Sequence, residues 1–151
     1  MKKKQQLDTK STSIGYITGH NFSEWCIPQK IQTRIVHSLA ESYNKTISYN
    51  IVEYLDSKNN SLLISRINED RKIKNIFFVS ALQLGKNKNN FFHKLNKYNL
   101  FFFLENLQIK KDEKLNNLVN YINQISERKS KKFKKNIYTD LFFDFQKNFK
   151  K

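Results

Sequence analysis

The sequence predicts a three-layer α/β domain, in which helices cover both faces of a sheet of four parallel strands. Three observations lead to this prediction. Strand-like and helix-like stretches alternate four times within residues 13–127, which we interpret as a single domain. Two of the strand-like stretches are continuously apolar, as in strands that are buried on both faces. The connections are short, which favours a parallel sheet with right-handed crossovers.

The first half of the domain contains two predicted strands and two predicted helices. Ser13–Gly19 and Thr46–Glu53 are rich in the β-branched and aromatic residues that favour strands. Between them a helix begins at Pro28, because the missing N–H of proline suits a first turn. Its apolar stripe recurs every four residues, at Ile31, Ile35, Leu39 and Tyr43. A short second helix follows a turn and has its apolar residues at Leu62, Leu63 and Ile67.

The second half repeats this alternation. Lys74–Ser80 and Leu100–Leu104 contain the continuous apolar runs and form the third and fourth strands. For the last helix of the domain, we place Asp112 at the N-cap and Glu113 in the first turn, where carboxylates are favourable. The third helix, between the strands, is marked by Phe91, Phe92 and Leu95. The stripe of the last helix comprises Leu115, Leu118, Val119, Ile122 and Ile125.

The net charge of +15 is concentrated at the two ends of the chain. Residues 1–12 carry +3 and residues 128–151 carry +7, which leaves +5 for the domain. We interpret residues 1–12 as a disordered basic tail rather than a signal peptide, because they lack an apolar core. Lysine predominates over arginine, so the charge does not indicate a specific nucleic-acid partner. A single cysteine, Cys26, fits a cytoplasmic protein.

Residues 128–151 combine a basic stretch with an amphipathic pattern. Basic residues dominate positions 128–135, and helical spacing of apolar residues then resumes at Ile137, Leu141, Phe142, Phe145 and Phe149. We expect a last helix that packs on the domain, on a protein partner or on a second copy of the chain, because aromatic stripes usually mediate packing. The alternative is peripheral contact with an anionic membrane surface.

Polar residues mark the end of every predicted strand. In open parallel sheets, ligands bind at the carboxyl ends of the strands. The candidate ligand-binding residues there are Thr18, His20, Gln32, Glu53, Ser80 and Glu105. Carboxylates, hydroxyls and an amide suit hydrogen bonding to a polyol or a sugar. Glu53 and Glu105 are also a candidate pair for acid–base chemistry, although polar residues end many strands without any function.

Other kinds of site lack a matching pattern. The chain has neither a phosphate-binding Walker loop nor a glycine-rich dinucleotide fingerprint after the first strand, so we expect no nucleotide cofactor. His20, His37 and His93 are scattered, and no pair of them has metal-ligand spacing, so we expect no metal. Whether the protein is an enzyme stays open at this point.

The strand-end residues resemble those of a bacterial family, the sporadic carbohydrate cluster proteins. The resemblance covers residues 15 to about 109 and rests on the order and spacing of Gly15-Tyr16, Ile27-Pro28, Gln32, Glu53-Tyr54, Phe78-Val79-Ser80, Leu84 and Phe103-Leu104-Glu105. Two positions depart from the family pattern. His37 replaces an arginine in the first helix, and Gly85 replaces a proline that often follows the leucine. The resemblance implies a role associated with surface-polysaccharide gene clusters, without an established reaction.

The layout is also similar, more distantly, to the catalytic domain of serine recombinases, which implies a resolvase-like or flavodoxin-like fold. In that family a Tyr-x-Arg-x-Ser pattern ends the first strand and supplies the nucleophile. Here Thr18 stands in place of the arginine and His20 in place of the serine. A later Asp-Arg-Leu-Gly-Arg pattern has Gln83 in place of its first arginine. Strand exchange is therefore not expected.

These observations lead to three functional hypotheses. The first is a cytoplasmic protein of surface-carbohydrate synthesis that binds a sugar or a sugar nucleotide at the strand ends. The second is a non-catalytic scaffold that docks a protein partner or a membrane through residues 128–151. The third is a nucleic-acid binder of recombinase-like fold, whose affinity would fall steeply with salt.

Overall fold

The computed structural model describes residues 11–19, 27–54, 60–85 and 89–130. The predicted N-terminal tail, apart from its last two residues, lies outside the described residues. So does the predicted C-terminal helix, with its stripe from Ile137 to Phe149. Among the described helices, none combines the length and the apolar character that a membrane span requires.

The described chain contains five strands, four α-helices and one 3₁₀ turn, in alternating order. The strands are β1 (Thr12–Thr18), β2 (Ile47–Glu53), β3 (Ile73–Phe78), β4 (Asn99–Phe102) and β5 (Leu107–Ile109). The helices are α1 (Gln29–Ser42), α2 (Ser61–Glu69), α3 (Asn89–Leu95) and α4 (Asn116–Ser130). A single 3₁₀ turn, Ala81–Leu84, follows β3 and is called the 81–84 turn below.

The five strands form one sheet in the order β2-β1-β3-β4-β5. The first four are parallel to one another, which confirms the predicted α/β class and its mostly parallel sheet. The prediction of only four strands is wrong, because β5 pairs antiparallel with β4. With three residues, β5 is too short to show an alternating pattern in the sequence. It follows a tight turn in which Asn106 has a positive φ of 47°.

The two faces of the sheet are buried against different helices. On one face, Val36 and Ala40 of α1 pack on Ile17, Phe77 and Phe101. On the other face, α2, α3 and α4 contribute Leu63, Ile67, Phe91, Phe92, Leu95, Leu115, Leu118 and Ile122. Of the described helices, three therefore cover one face of the sheet and one covers the other.

The continuous apolar runs of β3 and β4 bury alternate residues on opposite faces. Phe77 stacks on Phe101 beneath α1, with 4.4 Å between the ring centroids. Phe78 stacks on Phe102 on the other face, at 5.0 Å. All four rings are at most 1% exposed. Because adjacent side chains of a strand point to opposite faces, a strand that is buried on both faces needs apolar residues at successive positions.

The buried side of α1 differs from the prediction by one residue. The fully buried line is Gln32, Val36 and Ala40, whereas Ile31 is 42% exposed. Three other residues of the predicted stripe, Ile35, Leu39 and Tyr43, are half-buried at its flank. The helix is turned in this way because Gln32 makes hydrogen bonds at the end of β1, and the apolar spacing alone does not reveal them.

The predicted start of the last helix is also wrong. α4 begins at Asn116, and Asp112 has a positive φ of 66°, which does not fit a helix N-cap. Glu113 instead closes a turn: its N–H donates to the Lys110 carbonyl, and its carboxylate accepts from the Lys110 N–H at 3.0 Å. These acids shape the turn between β5 and α4 rather than the helix.

Candidate functional site

The carboxyl ends of the parallel strands meet at one edge of the sheet, which is called the carboxyl edge below. Thr18 and Glu53 are the last residues of β1 and β2 and lie opposite each other in register. Ser80 lies two residues beyond β3, and Glu105 lies three residues beyond β4. His20 falls outside the described residues. The structure therefore brings the other strand-end candidates to the same edge.

Gln32 joins α1 to the end of β1. Its Oε1 accepts from the Thr18 N–H at 3.0 Å, and its Nε2 donates to the Thr18 carbonyl at 2.7 Å. The same Nε2 donates to the carbonyl of Ile27, also at 2.7 Å. The side chain is fully buried. These bonds satisfy backbone groups where the strand ladder stops, so the described contacts of Gln32 are structural.

Gln83, which was not among the candidates, is the counterpart of Gln32 on the other side of β1. Its Oε1 accepts from the N–H groups of Val79 and Ser80, at 2.8 and 3.1 Å. Its Nε2 donates to Gln32 Oε1 at 3.2 Å and lies 3.4 Å from the Tyr16 carbonyl. A sequence signal existed, because Ser80 and Gln83 form the Ser-x-x-Gln capping box.

Glu53 connects β1, β2 and the start of α2. One carboxylate oxygen accepts from the Tyr16 hydroxyl. The other accepts from the Leu62 N–H at 2.9 Å and from the Ser61 hydroxyl at 3.3 Å. A carboxylate is favourable at this position because the first N–H groups of a helix lack partners within it. At 1% exposure, Glu53 acts as the cap of α2 in this conformation.

Tyr16 extends this contact towards the 81–84 turn. Burial raises the pKa of its phenol, and the adjacent Glu53 carboxylate raises it further, so the protonated hydroxyl donates a hydrogen bond to Glu53. The phenol oxygen in turn accepts from Asn60 Nδ2 at 2.6 Å. The Asn60 amide also donates to the carbonyl of Gln83, at 3.0 Å. A continuous hydrogen-bonded path therefore leads from Glu53 to Gln83.

Glu105 caps the 81–84 turn in the way that Glu53 caps α2. The Ser80 hydroxyl donates to Glu105 Oε1 at 2.6 Å, and the Ala81 N–H donates to Oε2 at 3.1 Å. Burial raises the pKa of the Glu105 carboxyl, although these hydrogen bonds act in the opposite direction. The Tyr121 hydroxyl of α4 lies 3.4 Å from Oε1, and burial beside this carboxylate raises the pKa of Tyr121 to about 12.

The strand order places a topological switch point between β1 and β3, where chain connections leave in opposite directions. Ligands of doubly wound sheets bind in the crevice at such a point. Here the side chains of Gln32 and Gln83 occupy that position and contact each other. A ligand at this edge would therefore rest on these two amides and the residues around them.

The two carboxylates do not come together as an acid–base pair. β1 and β3 lie between β2, which ends at Glu53, and β4, which precedes Glu105. With strands about 4.8 Å apart, the carboxylates are separated by roughly 10 Å or more. Each caps a different turn of the chain. The described arrangement therefore favours binding or structural support over acid–base catalysis.

Gly15, which contributes to the family resemblance, is required by close packing. A Cβ atom at this position would lie 2.2 Å from Asn50 Oδ1 and 3.0 Å from Val36 Cγ2. The Asn50 amide is held 3.3 Å from Nε2 of His37 on α1. Thus α1 and β2 approach β1 so closely that any side chain larger than hydrogen needs a rearrangement.

No cluster of metal-ligating side chains occurs within the described ranges. Comparison of the chain with protein-family models, with curated proteins and with solved structures finds no match.

Proposed function

We propose that this protein is a cytoplasmic, non-catalytic binding protein of surface-carbohydrate synthesis, and that its ligand is a sugar or a sugar nucleotide. One observation carries the proposal: the ends of all four parallel strands are joined by a single hydrogen-bonded network at the switch point of the sheet. The same residues, Gln32, Glu53, Ser80 and Glu105, underlie the resemblance to the sporadic carbohydrate cluster proteins. A shared network gives a physical reason for that residue pattern.

The strand order also supports a flavodoxin-like or resolvase-like arrangement. An order of 2-1-3-4-5 is that of flavodoxin-like sheets, whose ligand lies at the junction of β1 and β3. The antiparallel direction of β5 departs from the all-parallel form of that sheet. The proposed ligand position is the same in either arrangement, since it depends only on β1 and β3.

The network would form the floor of the site, and more exposed residues would contact the ligand. Thr18, Gln32, Glu53 and Ser80 are each at most 2% exposed. Glu105 is partly exposed and offers a carboxylate to sugar hydroxyls. Two aromatic side chains flank the same edge, Tyr54 after β2 and Tyr121 of α4, with exposures of 63% and 36%. Aromatic surfaces beside a few convergent polar groups are typical of ligand sites.

A thermal-shift titration tests this proposal with UDP-glucose and sorbitol as probes. We expect at least one of them to raise the melting temperature of the full chain in a saturable manner. Glu105→Gln combined with Tyr54→Ser should abolish that stabilisation, because it removes the carboxylate and one aromatic surface. Glu69→Gln is the matched control, since Glu69 lies on the exposed side of α2 and makes exposed hydrogen bonds with Ser65 and Arg66.

Two results would contradict the proposal. The first is that none of the probes stabilises the protein at millimolar concentration. The second is that stabilisation persists unchanged in the double variant, which would move the ligand away from the carboxyl edge.

A scaffold function without a small-molecule ligand is the second candidate. The observation that favours it is that the carboxylates and amides of the network already have partners within the fold. Its prediction differs: a protein partner should co-purify with the full chain and be lost when residues 131–151 are deleted. Retention of the partner by the truncated chain would contradict it.

A further inference from the structure

The opposite edge of the sheet contains an open cleft between α3 and α4. α3 ends at Leu95, just before β4 begins, so its C-terminal end lies at the amino ends of the parallel strands. β5 runs antiparallel to β4 and returns the chain to the same edge, where α4 begins. The cleft between these two helix ends has a volume of about 310 Å³. This size lies at the lower end of the range for small-molecule sites.

The lining of the cleft combines an apolar floor with polar walls. Phe92, Leu115 and Val119 supply the apolar surface. The polar groups comprise one cation, one imidazole and three carboxamides, from Lys114, His93, Asn96, Asn116 and Asn120. None of the described residues that line the cleft is acidic. The start of α4 also lies in the lining, and a helix N-terminus carries partial positive charge.

The surroundings add to this positive potential. The segments 93–97 and 110–114 contain five lysines and two acids. They are tied together by the Asp112 N–H, which donates to the Asn96 carbonyl at 2.8 Å. One of the acids, Glu113, directs its carboxylate to the Lys110 N–H rather than to a lysine ammonium group. The cleft is therefore in a region that attracts anions.

Asn96 has hydrogen-bonding capacity that the described residues do not use. Its Oδ1 is buried and accepts no hydrogen bond from them. A buried acceptor without a donor is unfavourable. Because the Asn96 side chain lines the cleft, rotation of its amide presents either the oxygen or the nitrogen to a bound molecule.

We propose that this cleft binds a small hydroxylated anion, of which a phosphorylated monosaccharide is the simplest example. Lys114 and the start of α4 contact the anionic group. The carboxamides, each with donors and an acceptor, pair with hydroxyl groups. The ring lies against Phe92 and Val119. The cleft and the carboxyl edge are at opposite ends of the sheet, so this site is independent of the one in the proposed function.

Isothermal titration calorimetry of the full chain with glucose 6-phosphate tests the proposal. We expect saturable binding, and we expect Lys114→Ser to weaken it roughly tenfold, because one charge-assisted contact is lost. Asn120→Phe should abolish binding by filling the cleft, while Lys97→Ser, which removes an exposed lysine beside the cleft but not in its lining, should leave affinity within about twofold. In NMR spectra, the amide signals of residues 92–96 and 114–120 should shift on titration.

Several outcomes would overturn the proposal. Equal affinity for inorganic phosphate and glucose 6-phosphate would leave only a general anion site. Equal weakening of binding by Lys114→Ser and Lys97→Ser would indicate diffuse attraction to the basic surface. An oligonucleotide that competes with steep salt dependence would identify a polyanion surface instead. The Glu105→Gln and Tyr54→Ser double variant should bind glucose 6-phosphate normally. Loss of the cleft proposal can therefore be distinguished from loss of the proposed function at the carboxyl edge.

Discussion

The two edges of the sheet use their polar side chains in opposite ways. At the carboxyl edge, buried amides and carboxylates bond to backbone groups and to one another, and Gln32 and Gln83 occupy the switch point. At the amino edge, the cleft between α3 and α4 is open, and its lining includes Asn96, whose buried Oδ1 accepts no hydrogen bond from the described residues. The first edge holds the fold together, and the second leaves hydrogen-bonding capacity for a ligand.

This difference shows that polar residues at strand ends are not by themselves evidence of chemistry. When a parallel sheet ends, its last N–H and carbonyl groups lose their ladder partners and need new ones. Gln32 supplies them for Thr18, and Glu53 supplies them for the first turn of α2. Substitutions of the buried network residues at the carboxyl edge should therefore cost stability, whereas those of exposed residues in the cleft should leave stability almost unchanged and cost affinity.

The largest effect should come from Glu53→Ala, which leaves the Tyr16 hydroxyl and the Leu62 N–H without a buried acceptor. We expect the free energy of unfolding to fall by about 3 kcal/mol, measured by urea denaturation. Glu69→Ala is the control and should change stability by at most about 0.5 kcal/mol, because its contacts with Ser65 and Arg66 are both exposed. If Glu53→Ala and Glu69→Ala lower the free energy of unfolding equally, the buried carboxylate at the carboxyl edge has no special role in stability.

Gly15→Ala should have the next largest effect. The added methyl group overlaps Asn50 Oδ1, so we expect a loss of about 2 kcal/mol in the free energy of unfolding. Combining it with Asn50→Ser should restore part of this loss, because the overlapping atom is removed while only the contact with His37 is given up. If the double variant is less stable than Gly15→Ala, the close approach of β2 is not the cause.

A smaller, pH-dependent effect is expected at Glu105. Its pKa is raised in the folded protein, so the folded state binds the proton more strongly than the unfolded state. The associated stability is fully present below the ordinary carboxyl pKa and is lost as pH rises through the higher folded value. Urea midpoints measured from pH 4 to 8 should therefore fall more with rising pH in the unmodified protein than in Glu105→Gln. Parallel profiles would show that Glu105 is not responsible.

The smallest effects should come from the cleft. Lys114 is exposed, so Lys114→Ser should change the free energy of unfolding by less than about 0.5 kcal/mol. A thermal melt of this variant, without any added anion, checks the expectation. A large loss of stability would mean that Lys114 supports the fold, and the comparison between the two edges would then fail.

Much of the fold follows from the sequence because it depends on apolar patterning. The runs around Phe77 and Phe101 identified the two central buried strands, and the alternation of elements identified the parallel sheet. β5 was missed because its pairing comes from the turn at Asn106 rather than from a periodic pattern. The predicted start of α4 is wrong because Asp112 and Glu113 belong to a turn. Acidic residues are favoured in such a turn as they are at the start of a helix.

The candidate site was predictable in position but not in chemistry. Strand ends located Thr18, Glu53 and Ser80 at one edge, as parallel topology requires. Their partners could not be deduced from the strand ends alone, since the contact of Gln83 with Gln32 joins residues 51 positions apart. The cleft is not predictable from the sequence, because residues that line it, such as Asn96 and Lys114, are common surface residues and form no motif.

A double-mutant cycle between Gln32 and Gln83 tests most directly whether the carboxyl edge acts as one unit. Gln32→Leu, Gln83→Leu and the combined variant would be compared with the unmodified chain by urea denaturation. We predict that the combined loss is smaller than the sum of the single losses by about 1 kcal/mol, because each single change leaves the other amide without its partner. If the sum of the two single losses equals the combined loss to within about 0.3 kcal/mol, the two glutamines act independently, which would contradict the account.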